Sequence, residues 1–143
     1  TNKEIVIRNP KAVRPWQHVI EPLFGYLELG IKLNSDPIKY AQAYNLGPNI
    51  DDALSVEDIV VKAIEYWGSG TYNVEVNSNN PHEAGLLKLD ITKATTELNW
   101  KPVLNAQTAV ELTINWYKNY YNNTTATELM ELDIKYYQNK INE

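Results

Sequence analysis

The sequence predicts an α/β fold, and three observations lead there. Short stretches alternate apolar and polar residues, as half-buried strands do. Longer stretches repeat apolar residues every three to four positions, as amphipathic helices do. The two kinds are interleaved along the chain, which is the pattern of α/β proteins. The strands are few and short for so many helices, so part of the sheet is expected to lie outside this chain.

Glu4 to Arg8 alternates and reads as a strand, ended by Asn9-Pro10. Arg14 to Val19 is a second extended piece, because Pro15 biases Arg14 away from the helical region. Ile20 to Leu33 reads as a helix, with Leu23, Leu27 and Ile31 at a spacing of four and Pro22 in its first turn. Lys39 to Leu46 is expected to be a strand, stopped by Gly47-Pro48. Ser55 to Trp67 is the clearest helix. Ser55 and Asp58 form a capping-box pair, Val56, Ile59, Val60, Ala63 and Trp67 make its apolar face, and Gly68 and Gly70 end it.

Tyr72 to Val76 and Leu86 to Leu89 are expected strands on either side of a polar loop, Asn77 to Pro81. Asp90 caps a short helix to about Leu98, with Asn99 at its left-handed end. Ala106 to Tyr121 is a long helix, Asn122 to Thr125 a break, and Ala126 to about Asn139 a final helix.

The 143 residues suit one compact domain, and 22% charged against 43% hydrophobic residues indicates a globular chain. The net charge of −5 argues against general nucleic-acid binding, which uses a basic surface. It leaves room for one anionic ligand on one or two local arginines. With no cysteine, disulfides, thiolate catalysis and cysteine-held metals are excluded. His18 and His82 have no metal-type spacing, and no metal is expected. No signal peptide and no apolar run of membrane-spanning length stands in the sequence, so a cytoplasmic location is expected. The chain lacks an initial Met and enters a strand almost at once, as a fragment or a trimmed chain does.

The segment Arg8 to Val19 is the densest in chemistry. Two arginines, Trp16, Gln17 and His18 sit on short extended pieces stiffened by prolines. A guanidinium fork suits bidentate phosphate recognition. The other reading is a surface arginine pair beside a packed Trp, and composition alone leaves both open. His82-Glu83 follows the polar loop, where a glutamate could take both hydroxyls of a ribose. A solvated loop is the alternative there.

Arg14-Pro-Trp-Gln-His-Val followed by Glu21-Pro-Leu-Phe-Gly-Tyr-Leu resembles the signature of CDP-glucose 4,6-dehydratases, which are extended short-chain dehydrogenase/reductases. The resemblance continues through Tyr44-Asn-Leu-Gly-Pro, Tyr66-Trp-Gly-Ser-Gly, His82-Glu-Ala, Leu87-Lys-Leu-Asp, Leu98-Asn-Trp-Lys-Pro and Thr113-Ile-Asn-Trp-Tyr. It implies the C-terminal substrate-binding lobe of such an enzyme, with the Rossmann half mostly missing. Residues 1–143 would form a single lobe. Elements in 1–50 would partly belong to the absent Rossmann sheet, and 51–143 would be mixed α/β with C-terminal helices.

Enzymes of this kind bind NAD in the Rossmann half. They oxidise C4 of the hexose, eliminate water across C5–C6 and return the hydride to C6. By resemblance, Arg14 contacts the sugar-nucleotide pyrophosphate and Glu83 lies near the nucleotide ribose, with His82 beside it. Gln17 and Arg8 complete the expected substrate-binding set. Asn80 departs from an arginine common in related dehydratases, Asn99 from a glycine, and Gly85 from a larger polar residue.

No Gly-x-x-Gly-x-x-Gly follows a strand, so no NAD cradle and no catalytic residue are expected in this segment. Tyr136-x-x-x-Lys140 occurs on the final helix, far from the place such a pair has in these enzymes, and reads as part of an amphipathic tail. The alternatives are another nucleotide-sugar epimerase or dehydratase, or a non-catalytic module that docks on a partner. The isolated chain is expected to expose the strand 40–46 and part of the helix 20–33, and to self-associate or capture a partner.

Overall fold

The computed structural model describes residues 3–75 and 84–143. In chain order these form β1 (Ile5–Ile7), β2 (Val13–Arg14), α1 (Ile20–Ser35), α2 (Pro37–Tyr40), β3 (Leu54–Ser55), α3 (Val56–Trp67), β4 (Tyr72–Val74), a π-helical turn (Ala94–Leu98), α4 (Ala106–Tyr121) and α5 (Ala126–Ile141). The strands make two small ladders. β1 runs parallel to β4, with Ile5 opposite Tyr72 and Ile7 opposite Val74. β2 runs antiparallel to β3, with Val13 opposite Ser55 and Arg14 opposite Leu54. The described residues are thus mixed helix and sheet with few strands.

Local side-chain bonds account for where the helices start and stop. Ser55 Oγ accepts the Asp58 N–H, and the Asp58 carboxylate accepts the Ser55 N–H, as the sequence predicts. Thr125 and Glu128 form a second capping box at α5. Asn105 accepts the Thr108 N–H at the start of α4. Gly68 closes α3 at φ 91°, and Asn99 closes the π-helical turn at φ 58°.

Two expected strands are not formed. At 39–46, Asp36 accepts the Lys39 N–H and Pro37 takes the first helical position, so the chain makes one helical turn, α2, and not a strand. Residues 41–49 then run without a ladder. Side chains meet two of their carbonyls: Lys93 Nζ donates to that of Ala43, and Gln17 Nε2 to that of Leu46. Leu86 to Leu89 shrinks to a single parallel bridge between Leu86 and Val13. The second extended piece pairs only at Val13–Arg14, and 15–18 continue outside any ladder.

The core gathers Tyr40, Ala94, Leu98 and Trp100, with Phe24, Leu29, Leu33, Leu46 and Ile91 packed around them. α1 reaches it through Gly25, where an added Cβ would stand 2.6 Å from Leu46 Cδ1 and 3.1 Å from Trp100 Nε1. Gly25→Ala should therefore destabilise the chain by about 1–3 kcal/mol, despite the better helix propensity of alanine. Urea unfolding measures it, and a neutral or stabilising result would show that Leu46 yields at no cost.

The expected stripe on α1 is not the one that faces this core. Leu23, Leu27 and Ile31 are 50%, 67% and 64% exposed, while Glu21 and Gly25 are the buried positions. α1 is apolar on two sides, and only one is covered among the described residues. A helix of that kind normally lies inside a larger assembly.

Candidate functional site

β2 is the element that places the principal candidate. It is held on both sides, by β3 and by the strand-like contact at 85–87: Val13 N–H donates to the Gly85 carbonyl at 2.8 Å, and Leu87 N–H donates to the Val13 carbonyl at 3.1 Å. The Arg14 side chain folds along this junction. Its Nη1 donates to the carbonyls of Val13 and Ala84, both at 2.9 Å. That fixes the guanidinium plane beside the residues that follow 83.

Arg14 lines a shallow cleft with Pro15, Pro48, Asp52, Lys88 and Leu89, with a free volume of about 10 Å³. A space of that size holds about one water, so the described residues do not form a complete ligand pocket there. Two cations and one carboxylate stand there. Lys88 Nζ donates to the Ile50 carbonyl at 2.7 Å, which holds its ammonium at the wall. The Asp52 carboxylate accepts the Ala106 N–H at the first turn of α4, where the helix dipole favours a negative charge. The carboxylate keeps its charge while it accepts that N–H, so cations of both kinds and a carboxylate meet at the cleft.

The rest of the Arg8 to Val19 segment is placed elsewhere. Trp16 Nε1 donates to the Leu54 carbonyl at 2.9 Å and locks the segment onto β3. Gln17 Nε2 donates to the Leu46 carbonyl at 2.9 Å. Gln17 Oε1 is buried without a hydrogen-bond partner among the described residues. Arg8 is exposed just past β1, and neither Arg8 nor Gln17 lines the cleft. His82 and Glu83 lie outside the described residues, as does the polar loop before them.

His18 is buried and faces α5. Its Nδ1 accepts the Ile20 N–H at 3.4 Å, which leaves the proton of a neutral ring on Nε2, 3.8 Å from Asp133 Oδ2. Burial pulls its pKa below the ordinary value, and Asp133 opposes that only in part. Burial raises the Asp133 carboxyl in turn, against the pull of His18.

Glu21, one turn along, is fully buried. Its Oε1 accepts the N–H groups of Val103 and Leu104, at 2.8 and 2.6 Å, and its Oε2 accepts the Tyr137 O–H at 2.7 Å. Burial nonetheless holds its pKa above the usual carboxylate value, and the same burial with Glu21 beside it pushes the Tyr137 phenol up. Glu21 thus ties α1 to the 103–104 segment and to α5, behind the segment that carries Arg14.

Neither Lys88 nor Glu21 carries a local sequence signal. Lys88 sits inside Leu87-Lys-Leu-Asp and looks like the polar position of a strand. Glu21 looks like an ordinary acidic residue in a first helical turn. On α5, Lys140 Nζ bonds the Glu143 carboxylate at 2.7 Å, and the buried tyrosine is Tyr137, not Tyr136. Among the described residues no helix is long and apolar enough to cross a membrane.

No protein-family model matches the chain. Over 117 residues, 82% of its length, it is 39% identical to CDP-glucose 4,6-dehydratase of Salmonella typhimurium. The chain spans a third of the length of that protein. The resemblance carried by the motifs is therefore also one of overall sequence.

Proposed function

We propose that this chain is the nucleotide-sugar binding lobe of a CDP-glucose 4,6-dehydratase, an NAD-dependent extended short-chain dehydrogenase/reductase. Such an enzyme makes CDP-4-keto-6-deoxyglucose for surface polysaccharide sugars. The observation that carries this is Arg14: the arginine of the signature motif is fixed at the β2 junction by the carbonyls of Val13 and Ala84. A guanidinium held by two backbone carbonyls is pre-set for a phosphate, at little cost in side-chain entropy. In this reading Arg14 grips the diphosphate and Glu83, with His82 beside it, takes the nucleotide ribose. Trp16 and Gln17 position that segment from behind, and Arg8 stays at the periphery.

Among the described residues the glycines do not form an NAD cradle. Gly68 and Gly70 stand past the C-terminal end of α3 and not between a strand and a helix N-terminus. A helix C-terminus presents carbonyls, which repel a pyrophosphate, whereas dinucleotide loops present N–H groups. The lobe's own part is then to bind and orient the nucleotide sugar, while the hydride and proton steps belong to the NAD-binding half. The uncovered face of α1, with Leu23, Leu27 and Ile31, is where this reading seats that half.

Calorimetric titration of the chain with CDP-, GDP-, UDP- and dTDP-glucose tests the reading. CDP-glucose should bind tightest, and none should turn over when NAD is added. Equal affinity for all four would remove the CDP assignment. Turnover of CDP-glucose would show that the chain carries a catalytic apparatus after all.

A further inference from the structure

We infer that α5 is a detachable helix, fastened to the chain by the His18–Asp133 contact and loosened in mild acid when His18 takes a proton. α5 buries two side chains, Leu129 and Tyr137, and Asp133 stands between them, one turn from each. Met130, Leu132 and Ile134 beside this stripe are exposed. Two of the three stripe positions meet ionisable groups at the start of α1. Asp133 Oδ2 lies 3.8 Å from His18 Nε2, and the Tyr137 O–H donates to Glu21 at 2.7 Å. The apolar part of the contact is Leu129 and the edge of Tyr137 against Phe24, with ring centroids 5.5 Å apart. A helix with so little buried apolar surface opens locally before the whole chain unfolds.

The His18 ring is set for its neutral form. Nδ1 accepts the Ile20 N–H, and Nε2 carries its proton toward Asp133. A second proton must go on Nδ1, where it would face the Ile20 N–H, donor against donor. The cation therefore loses its bond to the first turn of α1 and keeps its attraction to Asp133. Burial outweighs that attraction, so the docked ring takes its proton below the ordinary value of 6.5. With α5 lifted away the ring meets water and takes its proton at about 6.5. Docking is thus complete above that value and weakens as pH falls toward the docked one, by up to about tenfold per pH unit. Among the described residues Asp133 is the charge that shifts His18, and Glu21 and Tyr137 are the other titratable groups at this contact. Burial raises both carboxyls, so their protonation favours the docked state and limits the opening at lower pH. The Tyr137 phenol is pushed up and stays protonated throughout.

Hydrogen exchange of the chain, read by mass spectrometry at about pH 7.5 and about pH 5.5 and corrected for the intrinsic exchange rate, tests this. Peptides from α5 report its docking, and peptides from α3 report the whole chain. In wild type the protection of α5 should fall about three- to tenfold at the lower pH, while that of α3 holds. His18→Gln should abolish the fall. Asp133→Asn removes the attraction that opposes burial, and should deepen it. No fall in wild type, a fall of the same size in His18→Gln, or an equal fall in α3 would each overturn the inference. If His18→Gln does not fold, Asp133→Asn decides, and a fall no deeper than that of wild type overturns it.

Discussion

Glu21→Ala should lower the unfolding free energy by about 3–5 kcal/mol, the usual loss when one partner of a buried, hydrogen-bonded charged group is removed. The carboxylate is fully buried and accepts three donors, from Val103, Leu104 and Tyr137. Alanine leaves all three without an acceptor, each at a cost of about 1–3 kcal/mol, and leaves a cavity between α1 and α5. Glu21→Gln should cost less. Its carbonyl oxygen still serves the backbone N–H groups, and its amide can donate to the phenol oxygen. Urea unfolding at neutral pH measures both. A loss below about 1 kcal/mol for alanine would mean that water reaches the site, and that the three bonds are not a single buried unit.

The pH dependence has a definite sign. The Glu21 carboxyl is raised above its ordinary value of 4.5, chiefly by burial. The folded chain therefore holds this proton more readily than the unfolded chain. The stability of wild type relative to Glu21→Gln is greatest below the unfolded pKa and declines as pH rises through the folded one. His18 is lowered and pulls the other way, which is why the comparison must be made against the glutamine variant and not read from wild type alone.

Arg14→Ala should weaken CDP-glucose binding about ten- to a hundredfold, the equivalent of a charge-assisted phosphate contact of about 1.5–3 kcal/mol. Arg14→Lys should recover only part, since a point charge cannot replace a planar fork. The substitution also removes two bonds, to Val13 and Ala84, so circular dichroism should accompany the titration. A folded alanine variant with an unchanged dissociation constant would make Arg14 a brace for the β2 junction and nothing more.

The sequence by itself determined the long helices and where most of them start. A capping box such as Ser55–Asp58 closes within three residues, and a left-handed stop at Gly68 or Asn99 depends on one residue's backbone. It also singled out Arg14 as a candidate, through a motif whose order is visible without a structure. Tertiary structure decided what depends on distant partners. Lys39 to Leu46 has strand-like residues, but the Asp36–Pro37 start turns its beginning into a helical turn, and Lys93 and Gln17 bond carbonyls that a ladder would have used. α1 is apolar on two sides, so periodicity could not say which side is buried. The close approach of Leu46 and Trp100 at Gly25, and the three bonds to Glu21, select one side and leave the Leu23–Leu27–Ile31 stripe outside. Gln17 and His18 stand next to Arg14 in the chain, yet they turn to Leu46 and Asp133. Neighbours in sequence share a backbone but not a direction, and the direction of a side chain is settled by contacts that close only when segments tens of residues apart have met.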